Sequence, residues 1–219
     1  MLAAWGAGIA AGTALVIRWA IVGPGFTWLG LGVTMLVAVP AGLAGGGVAA
    51  WIGCLAAATG LLAARSRSLG VGAALVATVA LLIAGSAEAD PVLVIAAAFV
   101  LGGVTCEMLL GHWYLVDPRL PRSALRSLCV IGLVGSALDV AVLLAYGAVP
   151  WVAGDAVTGA GWIVLALTGI LLMVAVWFAL GEKGYPAVMA ATGLSYLAVL
   201  TTIGAVVLGR ALVTGASLG

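Results

Sequence analysis

From Pro91 to Val116 the chain reads PVLVIAAAFVLGGVTCEMLLGHWYLV, an apolar run that meets no charge until Glu107. A strand of a transmembrane barrel alternates apolar and polar residues over about ten positions. This run is continuous and far longer. Lipid offers no partner to backbone N–H and C=O groups, so a continuous apolar stretch of this length reads as a helix that pairs them internally. The expected fold class is an all-α integral membrane bundle.

The whole chain agrees with that segment. Hydrophobic residues fill 65% of the 219 positions and charged residues 7%, against about a quarter charged in a soluble domain. Such a chain cannot cover its own surface in water. A net charge of +1 supplies no basic face for nucleic acid. Cys54, Cys106 and Cys129 lie inside apolar runs without a CxxC pair and read as small buried hydrophobes. The opening MLAAWGAGIAAG carries no basic region before its apolar run, which reads as a retained helix rather than a cleaved signal. The expected location is the cell (inner) membrane, multi-pass, with the lipid bilayer and other membrane subunits as partners.

Cutting at Gly/Pro clusters and charges predicts eight transmembrane helices: Leu2 to Val22, Trp28 to Ala44, Gly47 to Ala64, Leu69 to Gly85, Pro91 to Val116, Ser127 to Gly147, Gly161 to Gly181 and Ala187 to Gly209. The weakest cut is Gly45-Gly46-Gly47; the alternative is seven spans with a re-entrant piece. Arg65 and Arg67, then Arg119, Arg122 and Arg126, then Lys183 follow odd-numbered spans and mark one side as cytoplasmic. Glu88, Asp90 and Asp155 fall on the other side. Both termini are then expected to be extracytoplasmic.

Thirty-three glycines, many at small-xxx-small spacing such as Gly8 to Gly12, Gly42 to Gly46 and Gly132 to Ser136, predict helices packed backbone to backbone. An internal repeat is also visible. Arg18-Trp19-Ala20-Ile21-Val22-Gly23-Pro24 ends the first span and His112-Trp113-Tyr114-Leu115-Val116-Asp117-Pro118 ends the fifth, with Trp, Val and Pro at the same spacing. Trp51 and Thr59-Gly60 are echoed by Trp162 and Thr168-Gly169 after a two-residue gap. These matches predict one transmembrane domain, 1–219, built from parallel halves 1–90 and 91–219. The halves would be related by an axis along the membrane normal, with spans one and five facing each other.

Ionisable residues inside a span are costly and therefore candidates for function. Arg18, Glu107, His112 and Asp139 are the ones singled out, with Asp139 placed near the middle of span six. Trp113 and Tyr114 join His112 in a candidate headgroup pocket, followed by the arginines after Asp117-Pro118. On a regular helix Glu107 and His112 point about 140° apart and would converge only if Gly111 hosted a kink or π-bulge. Under the repeat, Arg18 has the reach to pair with Glu107, one turn deeper. Snorkelling to lipid headgroups is the competing reading of Arg18.

No phosphate loop, HExxH, EF-hand or CxxCH pattern occurs, and no catalytic or metal site is assigned. A bis-histidine haem is excluded within a chain holding one histidine. A His/Met haem through His112 and Met35, Met173 or Met189 is not selected by any spacing. Two functional readings follow. One is a non-catalytic subunit or accessory factor of a respiratory or other redox complex, with a quinone or lipid headgroup near His112. The other is a small proton-coupled transporter using Asp139 and Glu107.

Overall fold

A computed structural model describes residues 1–148 and 156–216. Among these the chain forms eight helices: α1 (Leu2–Arg18), α2 (Pro24–Leu43), α3 (Gly47–Leu62), α4 (Arg67–Ser86), α5 (Pro91–Val116), α6 (Arg122–Ala145), α7 (Ala156–Ala179) and α8 (Tyr185–Ala216). Prolines open α2 and α5, where their missing N–H is no loss. The Asp90 carboxylate caps α5 by accepting from the Val92 N–H at 2.8 Å. The weak cut is a real break: α2 stops at Leu43, Gly45 takes a φ of 107°, and Gly47, with a φ of 62°, opens α3. Those are left-handed conformations that a side chain would strain.

Six helices, α2 and α4 to α8, are long and apolar enough to cross a membrane. With 17 and 16 residues, α1 and α3 reach only roughly 25 Å at about 1.5 Å per residue. The protein is a polytopic membrane protein. Its outward surface says the same, since Leu62 and Leu36 are 92% and 74% exposed, as lipid-facing side chains are.

In the first half, α1 packs on α2 and α4, and α3 closes the group against both. In the second, α5 packs on α6 and α8, and α7 closes against both. The two groups meet chiefly through α1 and α5. Glycines set this seam. A Cβ on Gly8 would lie 2.0 Å from the Ala98 carbonyl oxygen, and one on Gly12 would lie 2.3 Å from Cys106 Sγ. The α5–α6 contact is less tight: a Cβ on Gly103 would lie 3.0 Å from Gly132 Cα, and one on Gly135 would lie 2.9 Å from Val100 Cα. All three cysteines are buried and free, and Cys106 lies against Gly12 in the α1–α5 seam.

Seven of the eight basic residues gather at one end of the helices, Arg210 being the exception. Arg67, opening α4, donates to the Ile17 carbonyl at 3.1 Å and to that of Arg18, at the end of α1. Arg122, opening α6, donates to the carbonyls of Glu182 and Gly184, and Tyr185 O–H reaches the Leu115 carbonyl at 3.3 Å. The connections carrying Arg65, Arg119, Arg122 and Lys183 lie at this same end of the helices. At the other end, the Tyr146 O–H donates to Asp90 at 2.9 Å, while Ala3 and Val94 flank Gly85. Asp155 lies outside the described residues.

Candidate functional site

α5, α6 and α8 bring together the polar groups of the second half, and α8 supplies a partner to each ionisable residue that the sequence singles out there. Asp139 of α6 is buried and forms a two-pronged ion pair with Arg210 of α8, at 2.5 and 2.8 Å. The same guanidinium donates to the Leu93 carbonyl at 2.9 Å, near the start of α5. A carboxylate and a guanidinium meeting side by side satisfy each other's charge and hydrogen bonds with little need for water. This corrects the placement of Asp139 at mid-span. It sits in the last two turns of α6, toward the Asp90 end.

Glu107 is 1% exposed, deep in α5. Its partner is Ser195 of α8, whose hydroxyl donates to Glu107 Oε2 and also contacts the Ala191 carbonyl at 2.8 Å. The expected Arg18–Glu107 pair does not form. Arg18 is exposed at the end of α1, and Glu107 faces α8. Bringing a second charge into hydrocarbon costs more than offering a neutral hydroxyl. Gly111 does open space beside α5, and Thr192 of α8 fills it: a Cβ on Gly111 would lie 2.8 Å from Thr192 Oγ1.

His112 and Glu107 diverge, as regular helical geometry requires, because α5 runs unbroken through Gly111. His112 is exposed, and its Nδ1 lies 3.1 Å from the Tyr196 hydroxyl of α8. Tyr114, expected beside His112, is buried on another face of α5. Trp113 turns to α2, meeting Phe26 edge-on at 6.3 Å and covering Gly25. The three adjacent aromatic and imidazole rings therefore point in three directions. Tyr196 is the phenol beside the imidazole. At the turn that follows, the Arg119 side chain hydrogen-bonds Asp117 at 3.1 Å and holds its carboxyl below the usual range.

Sequence reading missed Ser195, Tyr196 and Arg210. Arg210 carried a signal, since it is an arginine only one residue past a predicted span end. Ser195 and Tyr196 carry no charge and sit within an apolar run. No family model, curated protein or solved structure matches the chain.

Proposed function

We propose that this polytopic membrane protein is a non-catalytic subunit or accessory factor of a redox membrane complex, holding a quinone or lipid headgroup at His112. The observation that carries the reading is the exposed His112–Tyr196 contact between α5 and α8 at the cationic end of the bundle. With Nδ1 engaged by the phenol, Nε2 is left to meet a headgroup carbonyl or hydroxyl. Tight glycine contacts around α5 suit a scaffold held in one arrangement. The test is a thermal-shift titration with a short-chain quinone and with lipids. Stabilisation lost in both His112→Ala and Tyr196→Phe is expected; a shift that survives both changes would sink the reading.

The same reading places the cationic end in the cytoplasm by the positive-inside rule, with eight spans and both termini outside. It also takes the halves as an internal duplication. Gly8 and Gly102 touch, as do Gly12 and Cys106, and each pair is separated by the 94 positions that separate Trp19 from Trp113 and Pro24 from Pro118. Equivalent residues of two parallel repeats meet each other only on the axis that relates them, and this supports a two-fold along the α1–α5 seam.

One observation favours the second reading, proton-coupled transport. Ser195 has one hydroxyl proton for two acceptors, Glu107 Oε2 and the Ala191 carbonyl. A protonated Glu107 supplies the missing proton. Asp139, committed to Arg210, has no such role in this version.

A further inference from the structure

We propose that the exposed seam between α1 and α4 binds one anionic phospholipid, its phosphate on Arg18 and Arg67 and an acyl chain in the apolar groove that continues from them.

The cationic half of the site is a depression bordered by Arg18, Arg67, Ser68 and Val71. Arg67 is fixed there by its bonds to the carbonyls of Ile17 and Arg18, which hold its guanidinium at the end of α1. Arg18 is exposed on the same turn. Among the described residues no carboxylate forms an ion pair with either arginine. Both arginines border one depression with no acid paired to either among the described residues, and a phosphate there can accept charge-assisted bonds from both.

The apolar half is a groove of about 260 Å³ lined by Gly8, Ala11 and Leu15 of α1, Thr78 and Leu82 of α4, and Phe99 of α5. Leu15 lies one turn from Arg18, and Thr78 lies two turns from Val71, so each helix carries the groove and the depression on one face. The groove exists because Gly8 and Gly12 let α1 sink against α5, leaving no side chain to fill the hollow. Its volume suits a stretch of acyl chain rather than a whole lipid. Charge at one end and an apolar channel leading away from it match the two parts of an anionic phospholipid, and basic pockets between membrane helices bind such headgroups. The site lies over α1 and the flanking faces of α4, α5 and α6 and shares no residue with the His112–Tyr196 contact, so the two proposals stand or fall separately.

The experiment heats the purified full-length protein in uncharged detergent with phosphatidylglycerol, with phosphatidylcholine of the same chains, or with inorganic phosphate. Native mass spectrometry counts the lipid retained. Phosphatidylglycerol is expected to raise the melting temperature and stay bound, phosphatidylcholine to do less, and inorganic phosphate to change nothing. Arg18→Gln is expected to weaken retention about fivefold, the equivalent of ~1 kcal/mol for one basic residue at an anionic surface. Leu15→Trp fills the groove and is expected to abolish retention with both arginines intact. Equal effects of the two lipids, full stabilisation by phosphate alone, or retention unchanged in either variant overturns the proposal. Arg18→Gln keeps the test decisive if Leu15→Trp does not fold, because the Arg18 side chain makes no hydrogen bond that the fold requires among the described residues.

Discussion

Gly8 of α1 and Gly102 of α5 cross backbone to backbone: a Cβ on Gly102 would lie 2.4 Å from Gly8 Cα. In lipid there is no hydrophobic force to draw helices together, so close van der Waals contact of this kind carries the association. Backbone cannot swing aside as a side chain can. Gly8→Ala and Gly102→Ala are therefore each expected to destabilise by about 1–3 kcal/mol, the usual cost of overpacking. Gly193, with open space where its Cβ would go, is the control; Gly193→Ala should be neutral or slightly stabilising. Unfolding in mixed detergent micelles measures all three, and equal losses at Gly8 and Gly193 would contradict the seam.

Asp139 and Arg210 predict a coupled pair. Removing either partner strands the other in a buried site, at about 3–5 kcal/mol, whereas removing both strands neither. In a double-mutant cycle, Asp139→Ala and Arg210→Ala should each cost that much and the double mutant clearly less than their sum. Arg210→Lys should fall between, because an ammonium cannot reproduce the two parallel bonds to Asp139 and the third to the Leu93 carbonyl. Additive losses would mean that the pair contributes nothing as a pair.

Those two contacts also show what could be read in the chain before the structure. The seam was legible because small residues four apart, Gly8 and Gly12, have one physical use in an apolar helix. Asp139 was legible as a costly carboxylate. Its partner was not, because the cut at Gly209 leaves Arg210 outside the last span, whereas α8 runs on to Ala216. Ser195 was invisible for a different reason. A hydroxyl in a membrane helix usually bonds its own backbone four residues back, as Thr192 and Ser136 do here, so nothing in sequence separates the one that also meets Glu107. The Arg18–Glu107 expectation failed because it matched charge to charge and ignored how cheaply a neutral donor serves a buried carboxyl.

Topology gives a prediction that needs no ligand. An even number of spans puts tags fused at Met1 and Gly219 on one side of the membrane, the side of the Glu88 turn and opposite Lys183. Protease and thiol-reagent accessibility in oriented vesicles should label both tags together. Termini on opposite faces would show that one of the short helices, α1 or α3, does not cross.

Just past α6, the Tyr146 O–H donates to the Asp90 carboxylate, and that bond pushes the phenol above its ordinary range. A raised folded value means that the neutral phenol is favoured in the fold. The contact's contribution is thus complete below the unfolded tyrosine value, near ~10, and lost as pH rises through the folded one. Ultraviolet titration of the phenols should lose a component titrating above the ordinary tyrosine range in Tyr146→Phe, and should show that component shift down in Asp90→Asn. An unchanged curve in Tyr146→Phe would rule out the assignment.

Glu107 and Ser195 separate structure from function at the deepest polar contact. Ser195→Ala removes the hydroxyl and leaves the Glu107 carboxyl in apolar surroundings between α5 and α8, where an unsatisfied polar group costs about 1–3 kcal/mol. Glu107→Gln keeps the shape and a hydrogen-bonding oxygen for Ser195, so its stability should stay within about 1 kcal/mol of the parent. That variant carries no titratable proton. If the protein is a scaffold with a headgroup site at His112, Glu107→Gln should leave quinone- or lipid-dependent stabilisation unchanged. If it couples proton movement to transport, Glu107→Gln in proteoliposomes should abolish proton flux at nearly unchanged stability. Ser195→Ala tests the contact independently: a stability equal to the parent would mean that Glu107 finds its hydrogen bond elsewhere and that α8 does not position it.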